Sequence, residues 1–180
     1  MSIIYPKCRG AEFFADIAHS SIGQKRKYTD DPYIIHPRNV AYLVEIAGGT
    51  NEMIKAAYLH DVLEDVYPNN PLFSYIAIEE QFGETVADLV DELTDKSTVF
   101  DGNRETRKEI DRNRIELISP QAKTIKLADL IDNSLTITFF DPNFSKIYLK
   151  EKRSLLDVLK DATSQTLWNM ANDILIRNGY

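Results

Sequence analysis

The sequence predicts an all-α protein, a single-domain helical bundle over residues 1–180, on three observations. Apolar residues recur three and four apart nearly throughout, while the strict alternation of a half-buried strand is not sustained between turn signals. Helix start and stop signals punctuate the chain: Ser119-Pro120 places a cap before a proline, and Gly48-Gly49 closes a periodic stretch. Finally, 180 residues of which 43% are hydrophobic suffice for one core and would starve a second.

The elements follow in order. A first helix over residues 11–22 places Phe14, Ile17, Ala18 and Ile22 on one face, and the polar stretch from Gly23 to Pro32 reads as a loop. Pro37 suits the first turn of a second helix, whose stripe is Val40, Leu43, Val44 and Ala47. Thr50 is placed to cap a third helix carrying Met53, Ala56, Ala57 and Leu59, which is expected to run on through HDVLED and stop before Pro68. Ser74 caps a short helix ending near Gly83, and Val86, Leu89, Val90 and Leu93 line the next. Residues 98–103 read as a loop and 104–118 as a strongly charged helix. Ser119-Pro120 opens a helix bearing Ile125, Leu127, Ala128, Leu130 and Ile131. Asp141-Pro142-Asn143 breaks the chain again, after which 148–159 and 167–176 supply two closing helices.

Charge and composition narrow the functional classes. With 21 basic and 28 acidic residues the net charge is −7, so the chain has no broad field with which to gather nucleic-acid backbones. An anionic substrate would instead need a local cluster of Lys and Arg or a bound metal. The single cysteine, Cys8, forms no intramolecular disulfide and reads as a packing residue. The N-terminal stretch is interrupted by Lys7, Arg9, Glu12 and Asp16 and lacks a signal-peptide core, and no apolar run approaches the roughly 20 residues of a membrane span. The expectation is a cytoplasmic protein without nucleic-acid or membrane partners. A homo-oligomer is compatible with the sequence.

The chemistry concentrates around two of the three histidines, His36 in PYIIHP and His60 in AAYLHDVLED. On a continuous helix His60 and Glu64 stand four apart, as do Asp61 and Asp65, so these groups crowd one turn. Three carboxylates within five residues repel one another unless water or a cation neutralises them. Imidazole and carboxylate together suit manganese, iron or zinc better than calcium. In KTIKLADLIDN, Asp129 interrupts an apolar stripe, where a carboxylate wants a partner. A solvated face for Asp129 and Asp132 stands as the alternative to a ligand role.

These pieces, in this order, resemble the HD-type hydrolase domain of the RelA/SpoT family and its stand-alone small alarmone hydrolases. The matching segments are AHSSIGQKRK, PYIIHP, AAYLHDVLED, FG followed by VADLVDELTD, and KLADLIDN, spanning about residues 11–148. The resemblance implies metal ligands at His36, His60, Asp61 and Asp129, with Mn2+ the usual ion and Fe2+ or Zn2+ as substitutes. It implies catalytic carboxylates at Glu64 and Asp65, which activate and orient water, and substrate contacts at Arg26, Lys27, Asn133 and Tyr148. The loop between Arg26-Lys27 and PYIIHP is slightly shorter than in the animal members, which leaves the register of the basic pair open. His19, in AHSSIGQ, is expected to be a hydrogen-bonding strut and no ligand. Arg104 and Lys108 have two readings, phosphate contact or a solvated face.

The activity so implied is removal of the 3′-pyrophosphate of guanine alarmones, (p)ppGpp to GDP or GTP, in the stringent response. The family's synthetase domain has no counterpart in the sequence, so no alarmone synthesis is expected. Two rivals stand beside this reading. The same chemistry on (p)ppApp, the 2′-phosphate of NADPH or a nucleoside monophosphate needs only a different pocket. A non-catalytic nucleotide-binding module would have no use for both Glu64 and Asp65.

Overall fold

The computed structural model describes residues 8–180, within which every regular element is helical apart from one isolated bridge between Lys25 and Pro32. The chain divides into two compact units, the first ending at Thr94 and the second spanning Asp95–Tyr180.

The first unit is built around α3 (Asn51–Leu59), which packs against α1 (Arg9–Ser21), α2 (Ile35–Ile46) and α5 (Glu84–Leu93). Ala56 and Ala57 on α3 are fully buried and small enough to admit neighbouring helices closely. Thr50 caps α3 by accepting a hydrogen bond from the Met53 amide at 3.3 Å. Gly48 ends α2 with φ +81°, and Gly49 leaves no room for a side chain: a Cβ there would lie 2.5 Å from Val44 Cγ1. The short α4 (Tyr75–Phe82), capped by Ser74, packs on α5. On α1, Phe14 and Ala18 are buried as the spacing predicts, but Ile17 is exposed.

One element departs from expectation in a way that matters. The third helix does not continue through HDVLED. It stops at Leu59, and Val62–Val66 forms a π-helical turn in which the Tyr67 amide bonds the Val62 carbonyl, five residues back, at 3.0 Å. Val62, Leu63 and Val66 fill the core while Glu64 and Asp65 stay on the open side. Such single-turn expansions let more side chains share one turn than an α-helix allows, and they recur at functional sites.

The second unit centres on α7 (Pro120–Phe140), which packs on α8 (Pro142–Val158) and α9 (Gln165–Arg177); α8 also meets α6 (Arg104–Leu117). Ser119 caps α7 by accepting from the Ala122 amide at 3.2 Å, with Pro120 at the first helical position. The buried Lys123 ammonium is satisfied by the Glu116 carbonyl and the Asp161 carboxylate, both at 2.7 Å. Two boundaries differ from the sequence reading. A one-turn helix, Val99–Asp101, sits within the expected loop, and α8 begins at Pro142 because Asp141 caps it. No helix among the described residues is long and apolar enough to cross a membrane.

Because the Ser119 hydroxyl satisfies an otherwise orphaned amide of α7, Ser119→Ala is expected to cost about 1 kcal/mol of stability. Urea unfolding measures this, and an unchanged midpoint would show that the cap contributes nothing.

Candidate metal centre

In the first unit the ligand-type side chains converge by local necessity. His36 lies in the first turn of α2, and His60 and Asp61 occupy the break between α3 and the π turn. Both imidazoles are almost completely buried. Their ring centroids are 5.1 Å apart, and Nε2 of His36 and Nε2 of His60 both face the same Asp61 oxygen, Oδ2, at 3.6 and 3.1 Å.

The tautomer of His60 decides what this arrangement can do. Its Nδ1 lies 2.9 Å from the Ala57 carbonyl oxygen, which only accepts, so Nδ1 carries the proton and donates it. In a neutral ring Nε2 then presents a lone pair toward a carboxylate oxygen. Two electron-rich atoms held face to face in a buried pocket want a cation between them, and an imidazole whose far nitrogen donates to a carbonyl is the usual form of a metal ligand. Tyr33 supports the same oxygen: its hydroxyl donates to Asp61 Oδ2 at 2.6 Å.

A second chain of contacts runs to Asp65. His19 Nδ1 lies 2.6 Å from Gln24 Oε1, and Gln24 Nε2 donates to Asp65 Oδ2 at 2.7 Å. The His19 ring rests against Tyr33, with centroids 4.5 Å apart. His19 therefore acts as a strut, and burial holds its imidazole below the ordinary value despite the opposing Gln24 hydrogen bond. Burial, then the neighbouring Asp61 carboxylate, push the Asp65 carboxyl above the usual carboxylate range. Glu64, one residue earlier, is exposed.

Arg26 and Lys27 lie in the loop after α1, with the Lys27 ammonium 5.0 Å from the Tyr28 ring. Neighbouring Lys25 is committed to Asp30 at 2.7 Å, and Asp30 adopts φ 58°. That ion pair reduces what Lys25 adds to the positive charge of Arg26 and Lys27.

In the second unit Asp129 is buried on α7, as is Asp132, so neither lies on a solvated face. Asn133 donates to Asp129 Oδ1 at 2.6 Å and the Lys126 ammonium lies 3.1 Å from Oδ2. Tyr148, on α8, is buried, and burial followed by the Asp129 charge raises its hydroxyl pKa. His36, His60 and Asp129 are all buried groups of metal-ligating type. Sequence reasoning missed Tyr33 and Gln24. Both lie inside quoted motifs, PYIIHP and AHSSIGQ, but neither residue type signals a role until its partner is known.

Residues 11–138 match the family model described as HD domain. The chain is 33% identical to the guanosine-3′,5′-bis(diphosphate) 3′-pyrophosphohydrolase of Aquifex aeolicus over 88% of its own length, but spans only 22% of that protein. It thus spans about a fifth of the length of such curated relatives. It is 34% identical to the enzyme of the same name from Drosophila melanogaster, covering 72% of this chain and 69% of that one. The solved structure of a metazoan ortholog of SpoT, described as hydrolysing ppGpp, superposes with a TM-score of 0.82 at 26% identity and 99% coverage of both chains. An HD domain with these buried histidines and carboxylates suggests a divalent metal.

Two outcomes follow from this geometry. Tyr33→Phe removes the hydrogen bond that orients Asp61 and is expected to weaken divalent-metal binding roughly 10–100-fold; unchanged affinity in a calorimetric Mn2+ titration would show that Tyr33 has no such role. The second concerns stability. A carboxyl whose folded pKa is raised stabilises fully below its unfolded value and loses that contribution as pH rises through the folded value. At pH 7, in EDTA, Asp65→Asn is therefore expected to raise the melting temperature while Gln24 still finds an amide oxygen to donate to. A lower melting temperature at pH 7 would contradict it.

Proposed function

The chain belongs to the HD domain family, and on that premise we propose that it is a divalent-metal-dependent phosphohydrolase removing pyrophosphate from the 3′ position of (p)ppGpp, giving GDP or GTP. The observation that carries the reading is the pair of buried histidine Nε2 atoms aimed at one Asp61 oxygen, with the His60 tautomer fixed by Ala57. The names of the Aquifex and Drosophila relatives support the choice of substrate.

In this proposal His36, His60, Asp61 and Asp129 hold the ion, with Mn2+ the first choice and Fe2+ or Zn2+ compatible with the donors. The bound cation supplies Lewis-acid activation of water and neutralises charge on the phosphate. The protein's own groups do the rest. Asp65, held by Gln24 and carrying a raised pKa, is suited to accept the water proton; exposed Glu64 orients the attacking oxygen. The water oxygen attacks the phosphorus bonded to the ribose 3′ oxygen, that P–O bond breaks, and the departing 3′ oxygen takes up the proton that Asp65 removed from water. Arg26 and Lys27 contact the nucleotide, and Asn133 and Tyr148 line its pocket. No side-chain nucleophile is required.

Asp61→Ala is expected to abolish both Mn2+ binding and turnover, whereas Glu64→Ala keeps the ion and loses about two orders of magnitude or more in kcat. Parallel Mn2+-supplemented assays on ppGpp, ppApp and NADPH, with phosphate and pyrophosphate detected separately, test the substrate. Pyrophosphate release from ppGpp alone supports the proposal. Orthophosphate from NADPH would replace the substrate, and tight binding of ppGpp without turnover would make the chain a binding module.

A further inference from the structure

The second unit contains a cavity of about 410 Å3 lined from α6, α7 and α8, within the size range of small-ligand sites. Its wall carries six cationic side chains, among them Arg104, Lys126 and Lys152, against the four carboxylates Asp95, Glu105, Asp111 and Glu151, a local surplus of positive charge in a chain of net −7. Several of these are committed. Arg104 holds Glu151 through two hydrogen bonds of 2.7 and 2.8 Å, Lys108 lies 2.9 Å from Asp95, and Lys126 lies 3.1 Å from Asp129.

Lys152 is different. It enters no ion pair among the described residues; its ammonium stands 4.9 Å from the centre of the buried Tyr148 ring. Burial, and then the like charge of Lys126, hold its pKa down to about 8, with Lys108 adding to the repulsion and Asp129 and Asp95 opposing it. A charged lysine in that position is opposed by burial and by the neighbouring lysines, and is favoured by the aromatic contact and by the attraction of Asp129 and Asp95. An anion in the cavity would reverse that balance. The space admits a short phosphoryl chain, and primary ammonium groups beside guanidinium are its usual partners.

We propose that this cavity binds phosphoryl groups, with Lys152 as their anchor. The groups come either from the 5′-phosphate chain of the nucleotide or from a free polyphosphate, which share this chemistry. Only the first source rests on the hydrolase reading above.

The test uses the full chain and two measurements. Calorimetric titration with inorganic tripolyphosphate is expected to show binding to the wild type that weakens about tenfold or more in Lys152→Ala and Lys152→Gln. Binding should survive in Lys152→Arg and in the metal-ligand variant Asp61→Ala. Circular dichroism melts establish that each variant is folded. Steady-state assays then compare guanosine substrates that share a 3′-diphosphate and carry either a 5′-diphosphate or a 5′-monophosphate. If Lys152→Ala erases the wild-type KM advantage of the 5′-diphosphate, the nucleotide is the source. If that advantage persists while tripolyphosphate binding is lost, the source is free polyphosphate. Absence of tripolyphosphate binding in the wild type overturns the proposal. So does equal binding in wild type and Lys152→Ala, or loss in Asp61→Ala alone. Failure of the hydrolase reading shows separately, as a wild type that does not turn over ppGpp and yet gives a clear calorimetric result.

Discussion

The hydrogen bond from His60 Nδ1 to the Ala57 carbonyl governs the chemistry of the first unit. It fixes one tautomer, commits the remaining nitrogen to face Asp61, and ties both to the last turn of α3. His60 and Asp61 keep right-handed helical dihedrals at the end of α3, and the π turn begins only after them, at Val62. Over Val62–Val66 it keeps three apolar side chains in the core while Glu64 and Asp65 remain on the open side.

Around this point the supporting bonds form a hierarchy. Tyr33 orients Asp61, Gln24 orients Asp65, and His19 braces both by stacking on the first and bonding the second. A buried polar network of this kind is worth having only when its members are mutually satisfied. The cost is visible at Asp65, whose carboxyl resists ionisation because burial and Asp61 both oppose its charge. A group destabilised in its charged form is poised to take a proton, which is what a water-activating carboxylate must do.

Much of this was legible in the sequence, and what was missed has physical reasons. The all-α class, the Thr50, Ser74 and Ser119 caps and the Gly48-Gly49 stop are local signals, read from residues that act on their own backbone. The ligand set His36, His60, Asp61 and Asp129 was suggested by types, order and resemblance; within the first unit, Nε2 of His36 and of His60 face Asp61 Oδ2. The π turn escaped because its apolar positions, Val62, Leu63 and Val66, fit a three-and-four spacing equally well. The start of α8 escaped because Asp141-Pro142 reads as a break, whereas an aspartate cap followed by proline is also how a helix begins. Ile17 was placed on a buried face that the spacing allows and the packing does not use. Tyr33 and Gln24 are defined by partners remote in sequence, which no local pattern encodes.

The electrostatics of the second unit follow the opposite logic to those of the first. There burial and Asp61 oppose the charge of Asp65; here six cations and four carboxylates share one cavity wall. Burial pushes the Asp95 carboxyl up, yet Lys126 and Lys108 outweigh that and hold its pKa below the usual carboxylate value. Lys152 adds to that attraction from farther away and forms no ion pair among the described residues. Replacing it by an apolar residue of similar length would relieve the repulsion of Lys126 and Lys108 and retain the packing on Tyr148, but would lose the attraction of Asp129 and Asp95. In an acidic chain of net −7 an anion has to be met by a local surplus of cations, and the phosphoryl site proposed above lies where the second unit gathers them.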